Sequence, residues 1–574
     1  MHLILQNCKI IDPVTSSVTP GDIVIKDGKI LSLRDPGAAK DIAGSEIIDC
    51  SGKYASPGFA DAHFHSESTM LSLGSLAEVL IRRGTTALYI NPHEVANVAG
   101  IDGVRTLLRD SASIPLHIFL IAPCKVPTAP KLEKSGAAFG PPELEEMLSW
   151  PDTVGIGEID AHKLLHPSEP YTGFIEKAKQ HKLAVCGSIN GFRGRELQTC
   201  FASGITDDHE SVSGAEALEK LRYGAYLHVR EGSTEQNLTD ILAVLRDHPG
   251  CFSRICFCCD DKMPGDLLHV GHIDNNIRKA VEAGIDPVAA IGMATCNTAA
   301  YYGQEDRFGH LSPGREADIV LMDEIDPLHV TDVFFAGRQV LRNGELIWHA
   351  PKSSSLPDSV YRSIHINRRL SVGEMLIPCA SGERAHARIV QITPGQIVNR
   401  ILTEELPVKD GMVRADNGRN IQHFALVERY QGEGKVLPAF VKGYGITRGA
   451  FAASVSHDHH HLVCVGVDPV DMAAALNRII ELGGGMTVAA GGVIQAELPL
   501  PIWGLLSSLS AEETARRELE LNRAVETLGC SFAQKVSPFA VLSLMSLPVI
   551  GEAGFTDQGL IDVRAQKIMP VLCE

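Results

Sequence analysis

Histidines and carboxylates close several of the short apolar runs in the first half of the chain. The first of these runs ends in Asp61-Ala62-His63-Phe64-His65. Because side chains alternate between the two faces of a strand, His63 and His65 share one face and can reach the same metal ion. The pair alone does not decide the matter, since two such histidines can also lie on the surface or be hydrogen bonded in a core.

Residues of the same kinds close three later runs. They are Glu158, His209 with Glu210, and Asp260 with Asp261. Four such endings are hard to explain by packing alone. Imidazole and carboxylate ligands together suit manganese, iron or zinc, and a carboxylate such as Glu158 can bridge two ions about 3.5–4 Å apart. The sequence therefore predicts a centre of one or two divalent metal ions.

An alternation of strands and helices must bring these residues together. Apolar runs and helix-period stretches alternate through the middle of the chain, which is typical of βα units. Eight units in about 250 residues predict an α/β fold with a (β/α)8 barrel of the TIM type, whose reactive side chains gather at the C-terminal ends of the strands. An open doubly wound sheet would need a glycine-rich phosphate turn, and Gly155-Ile156-Gly157-Glu158 lacks the third glycine. The eight runs span residues 54–62, 85–91, 116–122, 153–158, 183–188, 204–209, 225–231 and 254–261.

Short strands dominate the segments on either side of the barrel. Residues 2–56 contain apolar runs with a hairpin turn at Asp27-Gly28, and a similar pattern returns at 317–345. We therefore expect a small β-sandwich domain formed from both flanks around the barrel. The expected division is residues 1–56 with 305–350 for the β domain and residues 57–304 for the barrel.

The last part of the chain mixes strands with helices. A linker is expected at 351–355, at the start of a C-terminal α+β domain of residues 351–574. The clearest elements of this domain are strands at 387–392 and 462–467 and helices at 469–482 and 511–528.

The composition is that of a soluble globular protein. Hydrophobic residues make up 44% of the 574 residues, and charged residues make up 21%. The formal net charge of −18 argues against a nucleic-acid partner, because phosphate binding needs a basic face. We find no signal peptide and no apolar stretch of about 18 residues, so we expect no membrane span. Fourteen cysteines without paired spacing favour free thiols in the cytoplasm.

Several segments of the sequence resemble the motifs of adenine deaminases in the amidohydrolase superfamily. The resemblance covers nearly the whole chain, which makes it more specific than any single motif. Two segments, 293–297 and 313–318, are shared more widely in the superfamily. The segments that resemble adenine deaminases are residues 57–70, 91–98, 208–210, 229–233, 260–261, 271–274, 457–460 and 497–502.

The resemblance implies hydrolytic deamination of adenine to hypoxanthine and ammonia. A metal ion would lower the pKa of a bound water, so that hydroxide exists near neutral pH and attacks the amino-bearing ring carbon. Asp260 would act as general acid and base, with Glu210 and Asp261 as helpers. The implied metal ligands are His63, His65, Glu158, His209 and Asp260.

The same resemblance implies the cofactor and the partners. Manganese or iron is usual in this family, with zinc as an alternative, and one or two ions per chain are expected. The partner would be a small purine, and the chain would form a homo-oligomer without nucleic acid or membrane. Arg230, Glu231 and Ser233 would contact the purine, although an ion pair at the barrel rim explains them equally well.

The chain departs from the family pattern after the fifth strand. The family places a metal-binding histidine there, and this chain has Gly187-Ser188-Ile189-Asn190-Gly191. A serine hydroxyl is a poorer ligand than an imidazole, so a second ion would be held more weakly than the first. In the C-terminal region, Tyr430 replaces an expected histidine and His461 an expected asparagine. Residues 457–461 suggest either a metal site or, more simply, a polar rim over the barrel mouth.

These departures leave two other hypotheses open. One is a divergent amidohydrolase that acts on another cyclic amidine or amide, and the other is a weakly active or non-catalytic relative. A third class is excluded, because zinc base deaminases need a Pro-Cys-x-x-Cys segment, and here Pro123-Cys124 is followed by Lys125-Val126-Pro127.

Overall fold

The computed structural model of the chain describes residues 2–165, 171–351, 356–380, 382–394, 396 and 398–573. Except for Pro351, the linker expected at 351–355 lies outside the described residues. Among the helices in these ranges, none combines the length and the apolarity that crossing a bilayer requires.

The N-terminal flank forms part of one mixed sheet. Its strands are β1 (His2–Asp12), β2 (Ser17–Lys26), β3 (Lys29–Arg34), β4 (Glu46–Asp49) and β5 (Tyr54–Pro57). Strand β1 lies antiparallel to β2 and parallel to β4 and β5. The hairpin between β2 and β3 turns at Asp27 and Gly28, which have positive φ values of 50° and 80°. This is the turn that the Asp-Gly pair predicts.

Eight parallel strands close into a barrel, as the sequence predicts. They are β6 (Phe59–Phe64), β7 (Thr85–Ile90), β8 (His117–Pro123), β9 (Thr153–Asp160), β10 (Ala184–Ser188), β11 (Asp207–Asp208), β12 (Tyr226–Arg230) and β13 (Ile255–Cys258). Strands β6 to β10 form one arc and β11 to β13 the other. The arcs meet where Phe64 pairs with Asp260 and where the Thr206 amide donates to Val185 O (2.9 Å).

Amphipathic helices surround the barrel. In the first helix Ser72 caps the N-terminus by accepting from the Ser75 amide, while Leu76 and Leu80 are buried against the barrel. The helices are α1 (Leu73–Arg82), α2 (His93–Ser111), α3 (Pro141–Leu148), α4 (Ala161–Leu165), α5 (Tyr171–Gln180), α6 (Gly194–Ser203), α7 (Gly214–Arg222), α8 (Leu238–Leu245), α9 (Pro264–His269), α10 (Ile273–Glu282), α11 (Pro287–Met293) and α12 (Cys296–Tyr301).

After the barrel the chain returns to the N-terminal sheet. It adds β14 (Ile319–Ile325), β15 (Leu328–Phe335), β16 (Arg338–Arg342) and β17 (Glu345–Leu346). Strand β14 lies antiparallel to β5, so both flanks share one nine-stranded sheet. This pairing supports the division that we propose for the β domain, residues 1–56 with 305–350.

A glycine separates this sheet from the barrel. The run predicted as one strand at 54–62 is two strands, β5 and β6, which belong to different sheets, so that part of the prediction is wrong. Gly58 lies between them and donates its N–H to Asp318 O (3.0 Å). A Cβ at this position would lie 2.0 Å from Thr86 Oγ1, which explains why a residue without a side chain stands where the chain changes sheets.

The C-terminal region is an α+β unit with a ten-stranded sheet and a separate three-stranded sheet. The strands and helices predicted there are all present. Its elements are β18 (Ile377–Pro378), β19 (Arg384–Ile392), β20 (Asn399–Lys409), β21 (Met412–Val413), β22 (Ile421–Val427), β23 (Val436–Lys442), β24 (Ala450–Ala453), β25 (Leu462–Gly466), α13 (Pro469–Leu482), β26 (Gly485–Ala490), β27 (Val493–Pro499), α14 (Ala511–Thr527), α15 (Pro538–Ser543), β28 (Ala553–Thr556), β29 (Gly559–Asp562) and β30 (Lys567–Met569).

One segment of the C-terminal region lies against the loops that follow the barrel strands. Residues 454–461 connect β24 to β25. Asp458 accepts a hydrogen bond from Thr128, which follows β8. His460 pairs with Glu94, which lies at the start of α2 after β7. The C-terminal region therefore supplies side chains to the mouth of the barrel, where the strands end.

Candidate metal centre

Two histidines at the end of β6 face each other inside the barrel. His63 and His65 are buried, and their Nε2 atoms lie 3.2 Å apart. His65 Nδ1 donates to Asn91 O (2.9 Å), so Nε2 is the ring nitrogen that faces His63. A backbone partner of this kind orients a metal-binding imidazole and fixes its tautomer. The pKa of His63 is lowered to about 4 by burial and by the adjacent His209, so this imidazole is neutral and its lone pair is available.

Glu158, near the end of β9, presents one carboxylate oxygen to this pair. Its Oε1 lies 3.2 Å from His63 Nε2 and 3.0 Å from His65 Nε2. Its Oε2 accepts from Lys125 Nζ at 2.6 Å. Burial opposes ionisation of Glu158, but the Lys125 ammonium and the two imidazoles outweigh it and hold the pKa of this carboxyl well below its usual range.

Asp260, directly after β13, lies on the other side of His65. Its Oδ1 is 3.2 Å from His65 Nε2, and its Oδ2 accepts from Arg230 Nη1 at 2.8 Å. The backbone of Asp260 has a φ of 60°, a conformation that costs energy outside glycine and is often found at functional sites. Two hydrogen bonds hold it there, from Asp260 N to His63 O and from His65 N to Asp260 O, each 3.0 Å long.

His209 completes the group from the end of β11. Its ring stacks on that of His63 with centroids 4.0 Å apart. Its Nε2 lies 3.9 Å from Glu158 Oε1, the same oxygen that faces the first two histidines. The five predicted ligands from β6, β9, β11 and β13 are therefore brought to one place.

The donor set fits a divalent ion. Nitrogen ligands at about 2.0–2.1 Å from an octahedral or tetrahedral ion lie roughly 2.8–3.4 Å from one another, a range that includes the Nε2 distance of 3.2 Å between His63 and His65. Ligand atoms of His63, His65 and Asp260, and likewise of His63, Glu158 and His209, lie within 4.8 Å of one another. Neutral imidazoles with carboxylates suit manganese, iron or zinc rather than a purely oxygen-binding ion.

The side chains predicted as catalytic helpers and as purine contacts divide into those at or beside the centre and those paired with helices outside it. Glu210 accepts from Ser188 Oγ at 2.6 Å, and Asp261 is adjacent to Asp260, where burial and the Asp260 charge raise its pKa to about 6. Arg230 binds Asp260 as described. The other two have partners outside the centre: Glu231 pairs with Lys279 on α10, and Ser233 donates to Asp266 on α9.

Several residues near the centre were not among the predicted catalytic, substrate-binding or metal residues, although residues 457–461 were expected to form a polar rim or a metal site. Lys125 is one, and the others form what we call the mouth cluster, which consists of His93, Glu94, His457, Asp458 and His460. His93 packs its ring against His65 with centroids 4.8 Å apart. Its Nε2 lies 3.0 Å from Glu94 Oε1 and 3.8 Å from Asp458 Oδ1. Burial lowers the pKa of His93, but the Glu94 charge outweighs it and raises the pKa to about 10.

The two C-terminal departures from the family pattern hold this segment in place. Tyr430 donates its hydroxyl to His459 O (2.6 Å), and His461 Nε2 donates to Lys134 O (3.0 Å). His459 Nε2 in turn donates to Phe555 O (3.1 Å). Because backbone carbonyls occupy His459 and His461, these two histidines form part of the rim.

A buried network of polar groups connects the strands that carry the centre. Asp61 accepts from the amide of Cys259 (3.1 Å) and lies 2.9 Å from His272 Nε2. His272 Nδ1 is 2.9 Å from Thr85 Oγ1. These contacts connect the ends of β6 and β13, which carry His63 and Asp260, and fix their spacing.

The closed barrel and its imidazole–carboxylate centre define a metal-dependent hydrolase of the amidohydrolase type. The amidohydrolase family model matches residues 54–346, and the model of the adenine deaminase C-terminal domain matches residues 396–567. A protein named adenine deaminase from Desulforamulus reducens is 37% identical over 572 residues, which covers 100% of this chain and 96% of that protein. This chain belongs to the adenine deaminase family.

Two further relatives extend this comparison, and both are also named adenine deaminase. The protein from Moorella thermoacetica is 36% identical over 99% of this chain and 95% of that protein. The protein from Desulfatibacillum aliphaticivorans is 36% identical over 98% of this chain and 95% of that protein. The similarity therefore extends through the barrel, its flanks and the C-terminal region.

Proposed function

We propose that this chain hydrolyses adenine to hypoxanthine and ammonia. The observation that carries the proposal is the convergence of His63, His65, Glu158, His209 and Asp260 at the C-terminal ends of the barrel strands. Similarity to adenine deaminases along the whole chain supports adenine as the substrate.

The ligand set would supply the nucleophile. A divalent ion held by these residues provides hydroxide near neutral pH by lowering the pKa of water. We propose manganese or iron for this ion, with zinc as the alternative, because imidazoles and carboxylates are combined.

Asp260 is placed to move the proton. Arg230 holds its Oδ2 (2.8 Å), so Oδ1 faces the centre beside His65. We propose that Oδ1 accepts the proton of the attacking water and passes it to the exocyclic amino nitrogen of adenine, which leaves as ammonia. Hydroxide adds to the ring carbon that carried the amino group, and the product is hypoxanthine. Such a positioned carboxylate contributes about 10²–10⁴-fold to the rate.

The mouth cluster would close the site above the purine. His93 connects it to His65, and Asp458 brings in the C-terminal region. Among the predicted purine contacts, Arg230 reaches the centre through Asp260, while Glu231 and Ser233 are held by α10 and α9. We propose that Arg230 and the mouth cluster orient the substrate.

Other features of the protein are proposals of the same kind. The substrate is a small neutral purine, which suits a chain with a net charge of −18 better than a polyanion would. We propose a homo-oligomer in the cytoplasm, where fourteen free cysteines are stable.

One observation favours a second candidate, an amidohydrolase that acts on another cyclic amidine or amide. Ser188 stands at the end of β10 and binds Glu210, so the pocket wall there differs from that of the family. The test is to load the protein with manganese, iron or zinc and to measure ammonia release from adenine, other purines and pyrimidines. Turnover of adenine above all other bases is expected. Faster turnover of another base, or none in a loaded protein, would contradict the proposal.

A further inference from the structure

We propose that the ammonium of Lys125 takes the place of a second metal ion, so that the centre holds a single divalent ion. The inference rests on the proposed metal-dependent function. It concerns the number of ions rather than the reaction, and it can be tested by metal binding alone.

The two oxygens of Glu158 have different partners. All the candidate ligand contacts of this carboxylate converge on Oε1, which faces His63 and His65 at 3.2 and 3.0 Å and His209 at 3.9 Å. A bridging carboxylate would offer its other oxygen to a second ion. Here Oε2 accepts instead from Lys125 Nζ at 2.6 Å, so a cation already occupies the second position.

The backbone holds Lys125 in this place. It lies two residues after the end of β8, and the amide of the preceding Cys124 donates to Gly157 O (3.1 Å), next to Glu158. On the other side, Val126 O accepts from the amide of Phe139 (2.8 Å). The side chain is 16% exposed. Lys125 is therefore fixed over Glu158 rather than reaching it from a mobile surface loop.

Strand β10, where the family pattern leads us to expect a metal-binding histidine, supplies no imidazole for a second ion. Ser188, at the end of β10, directs its hydroxyl to Glu210 Oε2 (2.6 Å), and its proton is used in that contact. The ammonium of Lys125 also lies in the field of Glu210 and Asp458. Lysine is protonated at neutral pH. A second divalent ion would have to displace this charge and would gain no imidazole from β10.

The alternative is that Lys125 forms an ordinary ion pair that two metal ions displace. This alternative predicts two ions in the unmodified protein, whereas our proposal predicts one. The decisive change is Lys125→Met, which keeps the unbranched apolar stem of the side chain and removes the ammonium group with its charge. Lys163→Met is the matched control, because Lys163 lies in the same wall but binds Thr128 O and the Tyr171 hydroxyl, each at 2.9 Å, rather than Glu158.

The experiment is a calorimetric titration of Mn²⁺ into metal-free full-length protein, together with the metal content of each purified variant. We expect one tight ion per chain in the unmodified protein and in Lys163→Met. Lys125→Met should gain a second, weaker ion, and Lys125→Met combined with Ser188→His should bind that ion at least tenfold more tightly than Lys125→Met. Ser188→His alone should still bind one ion, because the ammonium remains.

Two results would overturn the inference. One is two tight ions in the unmodified protein or in Ser188→His, a measurement that does not depend on whether the Lys125 variants fold. The other is a single ion in the double variant when its circular dichroism matches that of the unmodified protein. Failure of the proposed function is separate, since a protein that binds one ion but releases no ammonia from adenine would contradict the activity and leave this stoichiometry intact.

Discussion

Replacing Asp260 by asparagine tests the proton transfer that we assign to it. The amide has nearly the same shape and can still accept a hydrogen bond from Arg230, but it cannot take up a proton as a carboxylate does. The adjacent Asp261→Asn is a matched control, because it makes the same chemical change one residue further along. Asp261 already has its pKa raised to about 6 by burial and by Asp260, so its loss of charge should matter less.

The structure sets the expected size of the fall in kcat and of the loss of stability in Asp260→Asn. Loss of general acid and base catalysis should lower kcat by about 10²–10⁴-fold, or roughly 3–5 kcal/mol in the barrier. Removal of one partner from a buried ion pair costs about 3–5 kcal/mol, and Arg230 loses its charged partner at 2.8 Å. Because Arg230 also binds Asn237 (3.3 Å) and keeps the amide oxygen, we expect the lower end of that range. A cost of about 3 kcal/mol corresponds to a fall in Tm of roughly 6–12 °C for a domain of the barrel's size.

A double variant separates the two effects. Asp260→Asn combined with Arg230→Met removes both charges, so Tm should recover while ammonia release from adenine stays as low as in Asp260→Asn. The assay is the initial rate of ammonia release at saturating metal, with Tm measured on the same samples. The reasoning is refuted if folded, metal-loaded Asp260→Asn keeps more than a tenth of the activity, or if Asp261→Asn loses more activity than Asp260→Asn.

Three further predictions follow from the loops at the barrel mouth and from the metal centre. Burial and the charge of Asp458 raise the pKa of Glu133 to about 8. The folded state keeps a proton that the unfolded chain releases above about pH 4.5, so the contribution of Glu133 to stability should fall by about 1.4 kcal/mol per pH unit between about pH 4.5 and 8. Glu133→Gln should remove this slope, and its Tm should exceed that of the unmodified protein at pH 8.5 but not at pH 5; an equal difference at both values would contradict the assignment. Glu94→Gln should lower both Tm and kcat, because it weakens the contacts of His93 and His460, whereas Glu282→Gln at an exposed position of α10 should change neither. Chelation should abolish ammonia release and manganese should restore it, and activity that survives complete chelation would exclude the proposed nucleophile.

The convergence of the proposed metal ligands could be predicted from local sequence because two simple rules place them. Alternation along a strand puts His63 and His65 on one face, and parallel strands in a barrel bring their C-terminal ends together. Each ligand therefore needs only the position of its own strand. The same alternation separates Arg230 from Glu231, and the structure shows Arg230 binding Asp260 while Glu231 binds Lys279.

The mouth cluster could not be placed in the same way. Glu94 and His460 are 366 residues apart in the chain, and no periodic pattern relates the turn between β24 and β25 to the start of α2. Both halves carry recognisable motifs, but only the docking of the C-terminal region against the barrel brings them into contact. The break at Gly58 was missed for a different reason, because a continuous apolar run does not show where a chain leaves one sheet for another.

Lys125 and Ser188 are linked through the needs of a buried carboxylate. Glu158 is buried, and both of its oxygens require positive or hydrogen-bonding partners, since an unpaired buried charge is costly. In a centre of two ions, a second ion would satisfy Oε2, and an imidazole after the fifth strand would help to hold that ion. A chain with serine at that position holds the second ion less well, so Oε2 needs another partner. Lys125 supplies it at 2.6 Å, and once it does so, an imidazole at position 188 would have no ion to bind. Lys125 therefore compensates Glu158 for the missing second ion, and without that ion a histidine at position 188 has no ligand role. We expect a substitution at either position to be tolerated best when the other position is substituted as well.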